Sequence, residues 1–454
     1  MRRKKITMLP FTFHNKGLPK IVAAYRQDYN AISRILDGHP EILHLAHKDL
    51  ATLSQESQQG RSGDFTSETL LRALVVHAHE GLSLRETVIR IADSDFLQDF
   101  IRTHKKAVMD FTFLDRCLKA LQPSTLKKIN DLLAQSAAAQ GLVDTTVVRA
   151  DTTAVETNIH WPTDASLLWD TYRVATRLLR QGRQILPNSC PHRFHDKKIK
   201  KLYLFITRFS ASNSKSRQRK VKTTFRILIR RVEKVVEAAE KFCKEHMQSN
   251  DIDQAIVAHE LAGFLPPMIK VVSQSCRAKL AGETVPAKDR VFSIFEPHTE
   301  LIKRGRREKP VEFGHMLLLC QSPEKFITDY EVLPQRVPDC RLTDKVVDRH
   351  KRLFEKNPRV LAADKGFCPA EKEYMQLKGR LEVLAIPRRL RDFVDAALVG
   401  WQSFRAGIEG TISALKRAFR LSRCMYRGFK TFAASVGLGI FTHNLFVLAK
   451  SKGV

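Results

Sequence analysis

The feature that most constrains the fold is a change of period at Gly141. Before it, apolar residues recur at helical spacing, as in Leu70, Leu71, Leu74 and Val75 and again in Leu84, Val88, Ile91 and Ala92. After it, residues 143–157 are rich in Val and Thr and carry no helical stripe. Such a β-branched run predicts a strand, buried on both faces near Val147 and Val148. Strand patterns then stop and return only at 290–295, 311–320, 326–333, 359–363 and 381–386, with Gly314 marking a possible bulge. Helices are expected at 343–355 and 369–377, and a long one from about Ser403. Strands alternating with helices predict a mixed α/β sheet, with residues 164–285 as a helical insertion after its first strand.

The rest of the chain divides around this sheet. Residues 1–63 are mixed and partly helical, ending in a polar linker at 54–63. Residues 64–140 read as an all-helical unit. It opens with a helix that Ser67 could cap, a break at Gly81, and a second helix with a capping box, Ser83 and Glu86. This helix, turn, helix suits either a DNA-reading module or a core hairpin. Residues 141–163 and 286–454 form the sheet domain. The uncharged stretch 432–449 is long enough for a membrane span, but Ser435, Thr442, His443 and Asn444 interrupt it, so a buried helix is expected. With no apolar leader after the first basic residues, the chain reads as cytoplasmic.

Charge narrows the function. The 454 residues carry 77 Lys and Arg against 48 Asp and Glu, a formal net charge of +29. From Arg173 to Arg231 there are 18 Lys and Arg and one acid, Asp196, so this segment supplies 18 − 1 = 17 of the 29. So concentrated an excess points to a polyanion, and nucleic acid is the obvious one. The eight cysteines form no close pair and no zinc-finger spacing, and no Gly-rich phosphate loop supports nucleotide hydrolysis.

Three carboxylates stand out. Asp151 lies inside the Val/Thr strand, where an unpaired charge is costly unless the residue faces solvent on an edge. Asp364 ends an apolar strand just before Lys365-Gly366, at the end of a sheet strand where ligands bind, although an ordinary turn would also place it there. On the long helix, Glu409 lies about 40° and Lys416 about 20° from Arg405, beside an apolar stripe of Phe404, Ile408, Leu415 and Phe419. An i,i+4 ion pair explains Arg405 and Glu409 but not Lys416 in line with them. Carboxylates from two strands and a helix suit a pair of hard cations and phosphate chemistry.

The spacing Arg405-x3-Glu409-x6-Lys416 resembles the signature of bacterial insertion-sequence transposases of the DDE class. Ala363-Asp-Lys-Gly-Phe367 is similar to their second aspartate motif and Arg149-Ala-Asp-Thr-Thr153 to their first. The resemblance spans most of the chain. It implies an RNase H-like catalytic core with an N-terminal helical domain and a basic insertion. Asp151, Asp364 and Glu409 would be the catalytic, metal-binding triad for two Mg²⁺ ions, with Mn²⁺ substituting. Arg405 and Lys416 would contact DNA, with Lys365 and the basic-segment residues Arg217, Arg219 and Lys220 as further contacts. The partners implied are double-stranded transposon ends and target DNA, held by a homodimer in the nucleoid, with no membrane. Two features depart from the pattern. Gln402 stands where the signature has tyrosine, and 364 − 151 = 213 residues separate the aspartates against 409 − 364 = 45 between Asp364 and Glu409. Trp161 and Trp169 read as packing residues. A DNA-binding relative without catalysis, or an RNase H-like nuclease without strand transfer, would share most of these features.

Overall fold

In the computed structural model the change of period at Gly141 is the junction between a helical array and a mixed, open sheet. The structure describes residues 4, 17–55, 65–103, 108–303, 309–388 and 396–451. Most of the linker expected at 54–63 lies outside them. The helices α1 (Lys20–Gly38), α2 (Pro40–Leu50), α3 (Thr52–Gln55), α4 (Ser67–His79), α5 (Leu84–Ala92), α6 (Asp95–Ile101), α7 (Phe111–Ala120) and α8 (Pro123–Ala139) precede strand β1 (Val147–Thr157). Next come α9 (Asp164–Ile185), α10 (Asp196–Phe209), α11 (Lys215–His246) and α12 (Ile252–Ser275), then β2 (Glu300–Lys303), β3 (Val311–Gln321) and β4 (Ile327–Val332). The chain continues through α13 (Thr343–Phe354), β5 (Val360–Ala362), α14 (Glu371–Lys378), β6 (Val383–Ala385), α15 (Ala396–Ala418), β7 (Arg423–Cys424) and α16 (Phe429–Ala449).

Two compact units result, one built from residues 1–156 and 315–454, the other from the intervening 157–314. In the first unit β1, β5 and β6 run parallel, β3 and β4 antiparallel, and β3 neighbours β1. One apolar core joins the amino-terminal helices to α16 through residues such as Leu70, Leu74, Phe100, Leu126 and Phe441. Another lies between the sheet and α15, with Val155, Leu317, Leu319, Ile408, Leu415 and Phe419. The apolar stripe read beside Arg405 is therefore a core face.

Of the helix pair after residue 65, α4 is a core helix, buried from Ser67 to Ala78, and Thr66 rather than Ser67 caps it, accepting from the Thr69 amide at 3.1 Å. The capping box at Ser83 and Glu86 forms, and α5 turns Arg85, Glu86, Ile89 and Arg90 outward. By length and composition α16 and the helix over 252–281 could each cross a membrane. Here α16 packs against α1, α4 and α8, and α12 against α9 and α11. Of the polar interruptions in α16, Asn444 is the best partnered: it accepts from the Ile327 amide and donates to the Ile327 carbonyl and to Asn130, all within 2.9 Å.

Two strand expectations change. Residues 290–295 are not a strand. The Gln274 side chain takes both backbone groups of Val291, and Ser293 Oγ accepts from the Phe295 and Glu296 amides, so the hydrogen bonds of a ladder are already used. The chain reaches the sheet later, at β2, which pairs antiparallel with 311–314. Gly314 pairs with Glu300 in regular register, and the irregularity in β3 falls at Cys320/Gln321 instead.

The second unit is mainly helical. A stripe along α11 (Val221, Phe225, Leu228, Val232, Val235, Ala239, Phe242) packs with α9, α10 and α12. Trp169 stacks on Tyr172 and Tyr203 in this unit, whereas Trp161 is 65% exposed and meets Phe313 edge to face, so it is a surface residue rather than a core one.

Candidate active site

The site is set by the register of two parallel strands. Val147 pairs with Val360, Val148 with Leu361 and Arg149 with Ala362. Two residues further along each chain stand Asp151 and Asp364, and the alternation of side chains puts both on the same face as Arg149. Asp364 retains extended backbone angles, φ −77° and ψ 174°, so the side-by-side course continues to it. Neighbouring strands are about 4.8 Å apart. Two carboxylates remote in sequence therefore share one face of the sheet, where β5 ends beside β1.

Local hydrogen bonds fix each of them. Asp151 Oδ1 accepts from the Thr152 amide at 2.7 Å, and Asp364 Oδ1 accepts from the Gly366 amide at 2.9 Å, capping the 3-10 turn Lys365–Phe367. A third acid that the sequence reading missed, Asp339, joins them. It accepts from Thr152 Oγ1 at 3.1 Å, and a Cβ on Gly366 would lie 3.0 Å from Asp364 Oδ1 and 3.5 Å from Asp339 Oδ2. Burial, with the negative charges of Asp364 and Asp339, pushes the Asp151 carboxyl up to about 6, against the opposing Thr152 amide and Arg405. A group so placed gains from any cation brought beside it.

The cation present is Arg405. Its guanidinium lies 3.6 Å from Asp151 Oδ2 and 3.1 Å from Glu409 Oε1. The helical stripe read from the sequence thus brings Arg405 to the aspartates. Glu409, however, has a side chain 64% exposed and meets Asp151 only through that arginine. Among the described residues no three His, Cys, Asp or Glu side chains converge closely enough to hold a metal ion in this arrangement. The donors nevertheless fit a hard divalent ion in chemical kind, being carboxylate oxygens of which one belongs to a carboxyl held up by burial. Lys416 is half-buried on the same helix, and Lys365 is exposed beside Asp364.

Under the acids lies a buried polar layer. Arg149 donates from Nε to Gln321 Oε1 at 2.7 Å and from Nη1 to the Phe404 carbonyl at 2.8 Å, with its guanidinium 4.7 Å from the Phe404 ring centre. Gln321 Nε2 donates in turn to Thr411 Oγ1 at 2.7 Å. Gln402, at the signature's tyrosine position, donates to the Ala363 carbonyl at 3.3 Å and the Ala385 carbonyl at 3.0 Å, where β5 and β6 end. The signal for Arg149 was present in the sequence: a charge two residues from Asp151 in the same apolar strand. Asp339 offered none, since an acid after a proline in a turn is ordinary.

In the second unit Arg217, Arg219 and Lys220 are exposed on the first turns of α11, whose stretch from Lys215 to Arg231 holds eight Lys and Arg and no acid. A hollow between α10 and α11 is lined by Lys198, Lys201, Phe205, Arg219 and Lys220.

No family model matches the sequence, and comparison with curated proteins and with solved structures returned no match.

Proposed function

We propose that this protein cleaves and joins DNA phosphodiesters as a transposase of the insertion-sequence DDE class, its sheet domain an RNase H-like core and its basic helices an insertion after the first strand. The observation that carries the reading is the pair Asp151, within β1, and Asp364, just past β5, each two residues beyond the paired Arg149 and Ala362, with Arg405 on α15 reaching Asp151 and holding Glu409. Asp151 and Asp364 would hold divalent ions together with Glu409, which would exchange its arginine partner for the ion. When bound, a Mg²⁺ pair would acidify an attacking water or 3′-hydroxyl and offset charge on the departing oxygen.

The chain's own residues have distinct tasks. Arg405, Lys416 and Lys365 supply positive charge for nonbridging phosphate oxygens beside the acids. Arg217, Arg219 and Lys220 lie on a face with the charge to hold the duplex backbone. Hydrolysis at a transposon end leaves a 3′-hydroxyl. That hydroxyl then attacks a target phosphate, so each bond broken in joining is matched by one formed. Joining two ends calls for two copies of the chain on DNA, in the nucleoid.

One observation favours a second reading, DNA binding without cleavage: Glu409 faces solvent and is bound to Arg405. Incubation of the full chain with duplexes carrying its terminal repeats and Mn²⁺ separates the two. Nicking that disappears in Glu409→Gln supports the transposase. Binding without nicking supports the second reading. Pre-cleaved ends that are never joined to target DNA would reduce the activity to that of a nuclease.

A further inference from the structure

Arg149 is 4% exposed, and among the described residues no carboxylate is in salt-bridge contact with it, Glu324 acting on it only at longer range. A buried cation without a contacting counter-ion costs more than an apolar side chain of the same size would, so packing alone does not account for it. Its guanidinium is spent on α15. One nitrogen holds the Phe404 carbonyl, the guanidinium carbon lies 4.7 Å from the centre of the Phe404 ring, and Gln321 links Nε to Thr411 about two turns further along. The fit is close. A Cβ on Gly407 would lie 2.2 Å from Arg149 Nη1 and 3.1 Å from Cζ, so any larger residue there forces the guanidinium to move. A second, independent tie is made by Gln402, whose amide group bridges the carbonyls of Ala363 and Ala385, the former directly preceding Asp364.

Both ties join α15 to strands that carry an aspartate. Arg149 is two residues before Asp151, and the carbonyl it holds belongs to the residue before Arg405. We propose that Arg149, seated against Gly407, and Gln402 are positioning residues that fix α15 at one height on β1 and β5, so that Arg405 meets Asp151 and holds Glu409 beside the aspartates. The inference rests on the phosphodiester reading of that site. Neither residue touches the reacting atoms. Their effect is on alignment, where a displacement of about 1 Å can cost a hundredfold in rate.

The test is single-turnover nicking by the full chain with Mn²⁺, over a range of DNA concentrations, together with amide hydrogen exchange of α15 in the DNA-free protein. Arg149→Met, Gly407→Ala and Gln402→Leu are each expected to lower the maximal rate by about a hundredfold, with half-saturating DNA changed less than twofold. Exchange in α15 is expected to quicken while that in α9 and α11 stays as in the wild type. Because methionine leaves room for the added methyl, Arg149→Met with Gly407→Ala is expected to be no slower than Arg149→Met alone. Wild-type maximal rates, losses confined to DNA affinity, or losses that multiply in the double variant would overturn the proposal. Should Arg149→Met fail to fold, Gln402→Leu at the half-buried end of the helix decides by the same readings. If the wild-type protein nicks no duplex, the phosphodiester reading fails, and unchanged α15 exchange in the variants would separately sink the positioning role.

Discussion

At the scale of single residues, Asp151 is the acid of the site whose chemistry burial changes. Its carboxyl is raised to about 6 from an unfolded value of 3.8. The folded chain therefore favours the protonated form, and the stability this contributes is complete below 3.8 and is lost as pH rises through 6. At pH 8 the ionised group is a burden of at most about 3 kcal/mol, so Asp151→Asn should melt higher than the wild type there, by calorimetry, and the gap should close at pH 4. Mn²⁺ should raise the wild-type melting temperature at pH 8 and leave that of Asp151→Asn nearly unmoved. A variant that melts lower at pH 8, or responds to Mn²⁺ like the wild type, would contradict this account of Asp151. The sequence made Asp151 and Asp364 legible because a charge in or at the end of an apolar strand is costly and therefore conspicuous. It could not expose Asp339, which comes to the site only through the packing of a turn, nor show that Glu409 would be turned outward on Arg405.

Among the elements, α16 shows how far periodicity carries. A helix apolar on every side was expected from residues 432–449 to be buried, and its burial follows from the absence of any polar face, but the role of its few polar residues depended on tertiary contacts. Asn444 closes the backbone of Ile327 and meets Asn130. Asn444→Leu, close in size, takes the Asn444 partner from the Ile327 amide and from Asn130 Oδ1 in a buried core, leaving the Ile327 carbonyl only the longer bond from Asn130 Nδ2. A loss of about 2–4 kcal/mol in denaturant unfolding is expected, and a loss under about 1 kcal/mol would mean that the network contributes little. The misread segment 290–295 has the opposite lesson. Its β-branched and aromatic residues favour a strand, yet a side-chain amide on α12, far enough along the chain to escape any local pattern, captured the backbone first.

For the molecule as a whole, acid and salt should act on different parts. Burial lowers His77, His350 and His443 to about 4 each, with Arg420 adding to the effect at His77. Held neutral in the folded state, they contribute stability that is whole above the unfolded value of 6.5 and lost as pH falls towards 4. These three large shifts outweigh the upward shifts of the part-buried aspartates Asp151, Asp131 and Asp170. Unfolding free energy should therefore fall between pH 6.5 and 4, and replacing all three histidines with neutral side chains of similar size should flatten that slope. Salt should act on DNA affinity instead: with Arg217, Arg219 and Lys220 changed to Ala, the slope of log affinity against log salt should lessen by up to about 2.7, in filter-binding or fluorescence titrations. An unchanged slope would remove α11 from the DNA-contacting surface. The pairing of Val147 with Val360 has one more consequence, for synthesis. At about 5–20 residues per second, β1 leaves the ribosome some 10–40 s before the partner that covers its flank. Throughout that interval a β-branched edge is open to mispairing, so the nascent chain is a natural client for a holding chaperone.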